Sequence, residues 1–97
     1  MPTFVALGKY TDRGITNLEA FRQRHQEAVK RAEARGAKIL GSYALMGPWD
    51  FMVVLECHDA ATCMRVLTKE ASGGNVRCET FAAVPMEEFA EKVAEAA

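Results

Sequence analysis

Little in this chain of 97 residues points to a charged partner, a membrane or a disulfide framework. The formal net charge is −1 and the pI about 6.1. Nucleic-acid binding depends on a clear basic excess, and there is none, so no nucleic-acid partner is expected. No apolar run approaches the roughly 18 residues that a membrane span needs. The opening MPTFVALGK has no basic segment before a long apolar core, so neither a signal peptide nor a membrane association is expected. Cysteines are few and odd in number, Cys57, Cys63 and Cys78. They lack C-x-x-C spacing and sit in apolar patterns, which predicts buried reduced thiols in a cytoplasmic protein rather than metal ligands. There is no phosphate-binding loop and no nucleophile motif around the serines and threonines, and no cofactor is called for.

What is present is a globular composition, 49% hydrophobic, in one domain spanning residues 1–97. A domain this small buries a modest share of its surface, so self-association would help it. Charge is unevenly spread. Arg13 to Lys38 carries seven basic and three acidic residues, and Glu79 to Ala97 carries five acidic and one basic. Two solvated helix faces account for this. So does an acidic tail docked on the first helix of the same or a neighbouring chain.

The apolar run Thr3–Gly8 is too short for a helix and reads as a strand buried on both faces. Thr16-Asn-Leu-Glu19 has capping-box form and predicts a helix running to about Arg35, ended by Gly36. Its inward stripe is Ile15, Leu18, Phe21, Ala28, Val29 and Ala32, with His25 in the middle. Lys38–Met46 reads as a second strand with Ile39, Gly41, Tyr43 and Leu45 on one face. Gly47-Pro48 is a turn, and Asp50–Cys57 a third strand, apolar on both faces. Asp59 is placed to cap a second helix to about Ala71, with Cys63, Met64 and Leu67 inward. Asn75–Val84 alternates as a fourth strand. Pro85, Glu87 and Glu88 suit the start of a last helix with a Met86, Phe89, Ala90, Val93 stripe.

This order, β-α-β-β-α-β plus a C-terminal helix, predicts an α+β, ferredoxin-like fold. Right-handed crossovers give a four-stranded antiparallel sheet in the order 4-1-3-2. The apolar strands 1 and 3 fall at its centre. Two helices cover only one face of such a sheet. The other face needs a cover, and a second copy of the sheet, making a dimeric α/β barrel, is the expected one. The last helix is the competing cover.

The segment MGPWDF, Met46–Phe51, carries the only tryptophan beside an aspartate at a turn. The topology brings Lys9, Tyr10, Trp49, Asp50 and Arg77 to one rim, with Lys9 and Arg77 as cationic partners for Asp50. With Tyr43 they form a candidate ligand-binding set. A purely structural role is the other reading, with Asp50 bonding backbone N–H groups and Trp49 covering the rim. His25 is a candidate acid/base group or ligand if it faces a cavity, and otherwise a buried neutral imidazole bonded to a carbonyl or to Tyr43.

The whole chain resembles the GYD family. The resemblance rests on Pro2-Thr3-Phe4-Val5, on Tyr10-Thr11-Asp12-Arg13-Gly14-Ile15 and on the Gly47-Pro48-Trp49-Asp50 turn. Gly74-Asn75-Val76-Arg77-x-Glu79-Thr80 and Glu87-Glu88-Phe89 complete it. The name-giving tyrosine is Trp49 here, so a hydroxyl role at that position would be lost and a stacking role kept. The resemblance implies a dimeric α/β barrel and brings no established reaction. The turn and the strand-4 start are also similar to those of effector-binding domains of Lrp/AsnC-type regulators. No helix-turn-helix pattern precedes the first strand, so a stand-alone module is expected. Two functions follow as expectations. One is a homo-oligomeric small-molecule-binding or sensing module. The other is a small cofactor-poor enzyme, monooxygenase- or isomerase-like, with His25 as base and Tyr43 as helper, which rests on fold analogy.

Overall fold

The computed structural model describes residues 1–96. The elements are β1 (Thr3–Tyr10), α1 (Phe21–Ala34), β2 (Ala37–Ala44), β3 (Phe51–Cys57), α2 (Ala60–Ser72), β4 (Val76–Ala83) and α3 (Met86–Ala96). The four strands form one antiparallel sheet in the order β2-β3-β1-β4, which is the expected order read from the other edge. Strand alternation then divides the side chains. Phe4, Ala6 and Gly8 of β1 pair with Leu55, Val53 and Phe51 of β3 on the face that α1 and α2 cover. Phe4, Ala6, Leu55 and Cys57 join Ala32, Ala37, Cys63 and Val66 in a single buried core. Each fully buried side chain of the Leu55 or Val66 kind contributes about 1.5–3 kcal/mol.

The two covering helices begin differently. Asp59 caps α2 as its sequence predicts, its carboxylate accepting from the Thr62 N–H at 2.7 Å. The predicted capping box at Thr16 does not form. Asn17 adopts a left-handed conformation at φ 54°, and the Thr16 hydroxyl donates to the Arg13 carbonyl at 2.8 Å instead. A 3-10 turn over Leu18–Ala20 intervenes, and the α-helix starts only at Phe21, leaving Ile15 and Leu18 exposed. Gly36 ends α1 at φ 105°, a conformation cheap only for glycine. In α2 the inward positions are Cys63, Val66 and Leu67, and Met64 points to solvent.

A β-bulge corrects the second strand. The β2–β3 register slips between Ile39 and Gly41, so Leu40 has no partner. A bulge inserts one residue and inverts the alternation beyond it. Ser42 and Ala44 therefore join the helix-covered face, and Tyr43, opposite Met52, lies on the other one, not with Ile39.

That other face carries Val5, Leu7, Met52, Val54 and Phe81. None of the described elements covers it. Among the described residues α3 makes no substantial contact with the sheet or the other helices, and its Met86, Phe89 and Val93 stay exposed.

Candidate functional site

The MGPWDF turn is secured from both sides. The Asp50 N–H donates to the Gly8 carbonyl at 2.8 Å, and its carbonyl accepts from the Leu45 N–H at 2.9 Å. The Asp50 carboxylate accepts from the Tyr10 N–H at 2.9 Å. This backbone donor stands where Lys9 and Arg77 were expected as partners, and no ion pair joins either cation to Asp50 among the described residues. Lys9 Nζ sits 5.2 Å from the Trp49 ring centroid, a cation–π distance. Arg77 lies directly across β1–β4 from Lys9. The β1–α1 loop is tied to the start of β4. Thr11 donates from its hydroxyl to the Gly74 carbonyl at 2.6 Å and from its N–H to the Asn75 carbonyl at 3.1 Å. Gly14 packs on the same carbonyl so closely that a Cβ there would collide with it.

The sheet thus splits the six candidate residues. Lys9, Arg77 and Tyr43 lie on the uncovered face, with Trp49 under Lys9. Tyr10 lies on the helix-covered face, packed edge-on to Phe21 at 5.4 Å and beside Phe51 at 5.1 Å between centroids. Asp50 bridges the two sides through backbone. Gly8 makes the Phe51 position possible, since a Cβ at residue 8 would occupy the Phe51 ring.

Tyr10 opens onto a cavity of about 670 Å³ between α1, α2 and the sheet. Its walls are mostly apolar, among them Phe21, Ala28, Ala32, Ile39, Phe51 and Val53. The cavity exists because α1 presents small residues to the sheet. Ala32 is the only buried side chain of α1, and Ala28 and Val29 are half-buried. Charged groups line it, Arg24, Arg31, Arg35, Lys69 and Glu70, together with His25. Glu70 accepts a bidentate pair from Arg31 at 2.9 and 3.0 Å and a longer bond from Arg35 at 3.4 Å, which ties α1 to α2. The bond to Glu70 holds the Arg31 pKa above its ordinary value. Burial raises the Tyr10 phenol, the Asp50 charge adds to this, and Arg24 opposes it. Burial also raises Cys78, which lines the same cavity.

His25 is exposed at the cavity mouth rather than buried in the stripe. Tyr43 touches the cavity only from the β2 edge, because its register puts it on the other sheet face, so the two do not form a pair. Cys57 and Cys63 are buried in the core, free and adjacent. Burial, with the neighbouring Cys57, pushes the Cys63 thiol up to about 12. Among the described residues no cluster of His, Cys, Asp and Glu is placed to hold a metal ion, and no helix is long and apolar enough to cross a membrane. Sequence reasoning missed Arg24, Arg31, Arg35 and Glu70. The signal available for the cavity was the alanine content of the inward stripe of α1.

Solved structures share this architecture. A protein of Thermus thermophilus superposes with a TM-score of 0.57 at 22% identity, covering 88% of this chain and 95% of that one. A dabb family protein with a ferredoxin-like fold from Mesorhizobium loti superposes with a TM-score of 0.55 at 15% identity, covering 88% and 98%. These likenesses concern the fold. In sequence, the chain is 38% identical over 87 residues to the "Glutamine synthetase and cystathionine beta-lyase binding protein" of Thermus thermophilus, covering 89% of this chain and 92% of that protein. The GYD domain matches residues 4–93, almost the whole length, and the chain belongs to the GYD domain family.

Proposed function

We propose that this protein is a homo-oligomeric small-molecule-binding or sensing module of the cytoplasm, with its ligand seat in the cavity between α1 and the sheet. The cavity is the observation that carries the reading. Its volume, about 670 Å³, falls in the range of small-molecule sites, and an apolar wall with a few polar groups at the mouth is their usual make-up. Of the rim residues, Tyr10 contributes directly. Asp50 fixes the Tyr10 backbone, and Lys9, Trp49, Arg77 and Tyr43 face the side where a second copy would sit. Val5, Leu7, Val54 and Phe81 form the apolar patch such a copy would cover. Native mass spectrometry of freshly purified protein tests both parts. A dimer or multiple carrying extra mass is expected. A clean monomer at micromolar concentration sinks the oligomer, and a bare oligomer that takes up no small molecule sinks the ligand seat.

The identity to the Thermus protein supports a second, compatible reading: docking to a metabolic enzyme. In that reading the small molecule would tune the docking. Sedimentation of this protein mixed with purified glutamine synthetase tests it. Co-sedimentation supports the reading, and independent boundaries at tens of micromolar contradict it.

A further inference from the structure

Charge around the cavity is lopsided. Arg24, Arg31, Arg35 and Lys69 face one carboxylate, Glu70, in a chain whose net charge is −1. The positive field is therefore a local property of the cavity, not of the whole protein. It is also uneven within the cavity. Arg31 and Arg35 share Glu70 at the α2 end. Arg24, at the opposite end of α1, meets no carboxylate among the described residues. One of its terminal nitrogens donates to the backbone carbonyls of Thr16 at 2.9 Å and Asn17 at 3.4 Å. Those two bonds, and the Phe21 ring whose centroid lies 6.0 Å from the guanidinium carbon, orient the group and leave its charge with no carboxylate partner among the described residues. Tyr10 and His25 line the cavity with Arg24, and Tyr10 feels both the Asp50 carboxylate and, more weakly, the Arg24 charge. Set beside an apolar wall, such a guanidinium is suited to a planar acid group.

We infer that the cavity takes a small amphipathic acid, its apolar body between α1 and the sheet and its acid group on Arg24 with Tyr10 and His25. The inference rests on the cavity being a ligand seat, and it names the chemistry that seat selects. Arg31 and Arg35 are the lesser anchors, since an incoming anion would have to displace Glu70 from them.

The test uses two fluorescent probes of like shape. These are 8-anilinonaphthalene-1-sulfonate, which carries an acid group, and N-phenyl-1-naphthylamine, which does not. Each is titrated against the wild-type protein, Arg24→Gln, Arg24→Lys and Ala28→Phe, with circular dichroism confirming that each variant is folded. The sulfonate is expected to bind the wild type more tightly than the neutral amine. Arg24→Gln weakens the sulfonate about tenfold and leaves the amine unchanged, the usual size of one charge-assisted contact. Arg24→Lys recovers part of the loss. Ala28→Phe, which fills the cavity, weakens both probes. If Arg24→Gln leaves the preference for the sulfonate intact, the acid specificity is overturned while the ligand seat stands. If neither probe binds the wild type, or if Ala28→Phe changes neither, the ligand seat itself fails and the inference with it. Should Ala28→Phe not fold, Val29→Phe on the same wall gives the same readout.

Discussion

The two helices that cover the sheet do so by opposite means. α2 packs down on it, with Cys63 and Val66 fully buried and a capped first turn. α1 stands off. It has one buried side chain, Ala32, no side-chain cap, and a cavity beneath it that its ionic bonds to Glu70 help to span. One half of the layer is core and the other half is a roof. Side-chain size differs with it: Cys63, Val66 and Leu67 face inward from α2, and the smaller set Ala28, Val29 and Ala32 from α1.

The sharpest way to break the comparison is to exchange sizes. Val66→Ala in α2 should cost about 2 kcal/mol in urea unfolding, because a filled site is emptied. Ala28→Leu in α1 should cost less than about 1 kcal/mol or stabilise, because an empty site is filled. Equal costs would mean that α1 is packed like α2.

A smaller effect separates the helix starts. Asp59→Ala should destabilise α2, and Thr16→Ala should leave α1 nearly unchanged, since Thr16 caps nothing. The sign with pH is fixed. The Thr62 N–H holds the Asp59 carboxyl below its ordinary value of 3.8, so the cap stabilises fully above that value and is lost as pH falls through the lowered one. Thermal melts should show a constant gap between wild type and Asp59→Ala from about pH 5 to 8, closing in stronger acid. A gap that widens in acid would contradict the capping role.

The smallest expected effect is at the tie between the helices. Glu70→Gln should cost at most about 1 kcal/mol, because the pair is partly solvated. Its signature lies in hydrogen exchange. Amides of α1 should exchange faster and those of α2 should not, since α2 is held by its core.

Much of this was legible in the residues. The apolar character of β1 and β3 placed them at the centre, and Gly36 and Asp59 marked helix ends they do form. The failures have physical causes. The bulge at Leu40 leaves no mark in a binary pattern, yet it moves Tyr43 to the opposite face. Thr16 had the right spacing for a cap, and a left-handed Asn17 overrode it. Met64 and Val66 point to opposite sides of α2, and hydrophobicity alone does not choose between them. The ring of Arg24, Arg31, Arg35 and Glu70 joins residues of two helices, so no single segment displays it. The clustering of basic residues in α1 was visible; that they border a void was not.

α3 has a consequence beyond packing. A compact chain of this length has a radius of gyration of about 12.5 Å. This one has 14.9 Å and extents of 53 × 30 × 18 Å, because the last helix projects from the body. A molecule so shaped tumbles as a rod with a heavy end. Its nuclear relaxation rates depend on the direction of each N–H bond, and its scattering curve carries a tail at long distances. Assembly that folds the projection against another copy would shorten that tail relative to mass, so α3 would serve as a built-in gauge of self-association.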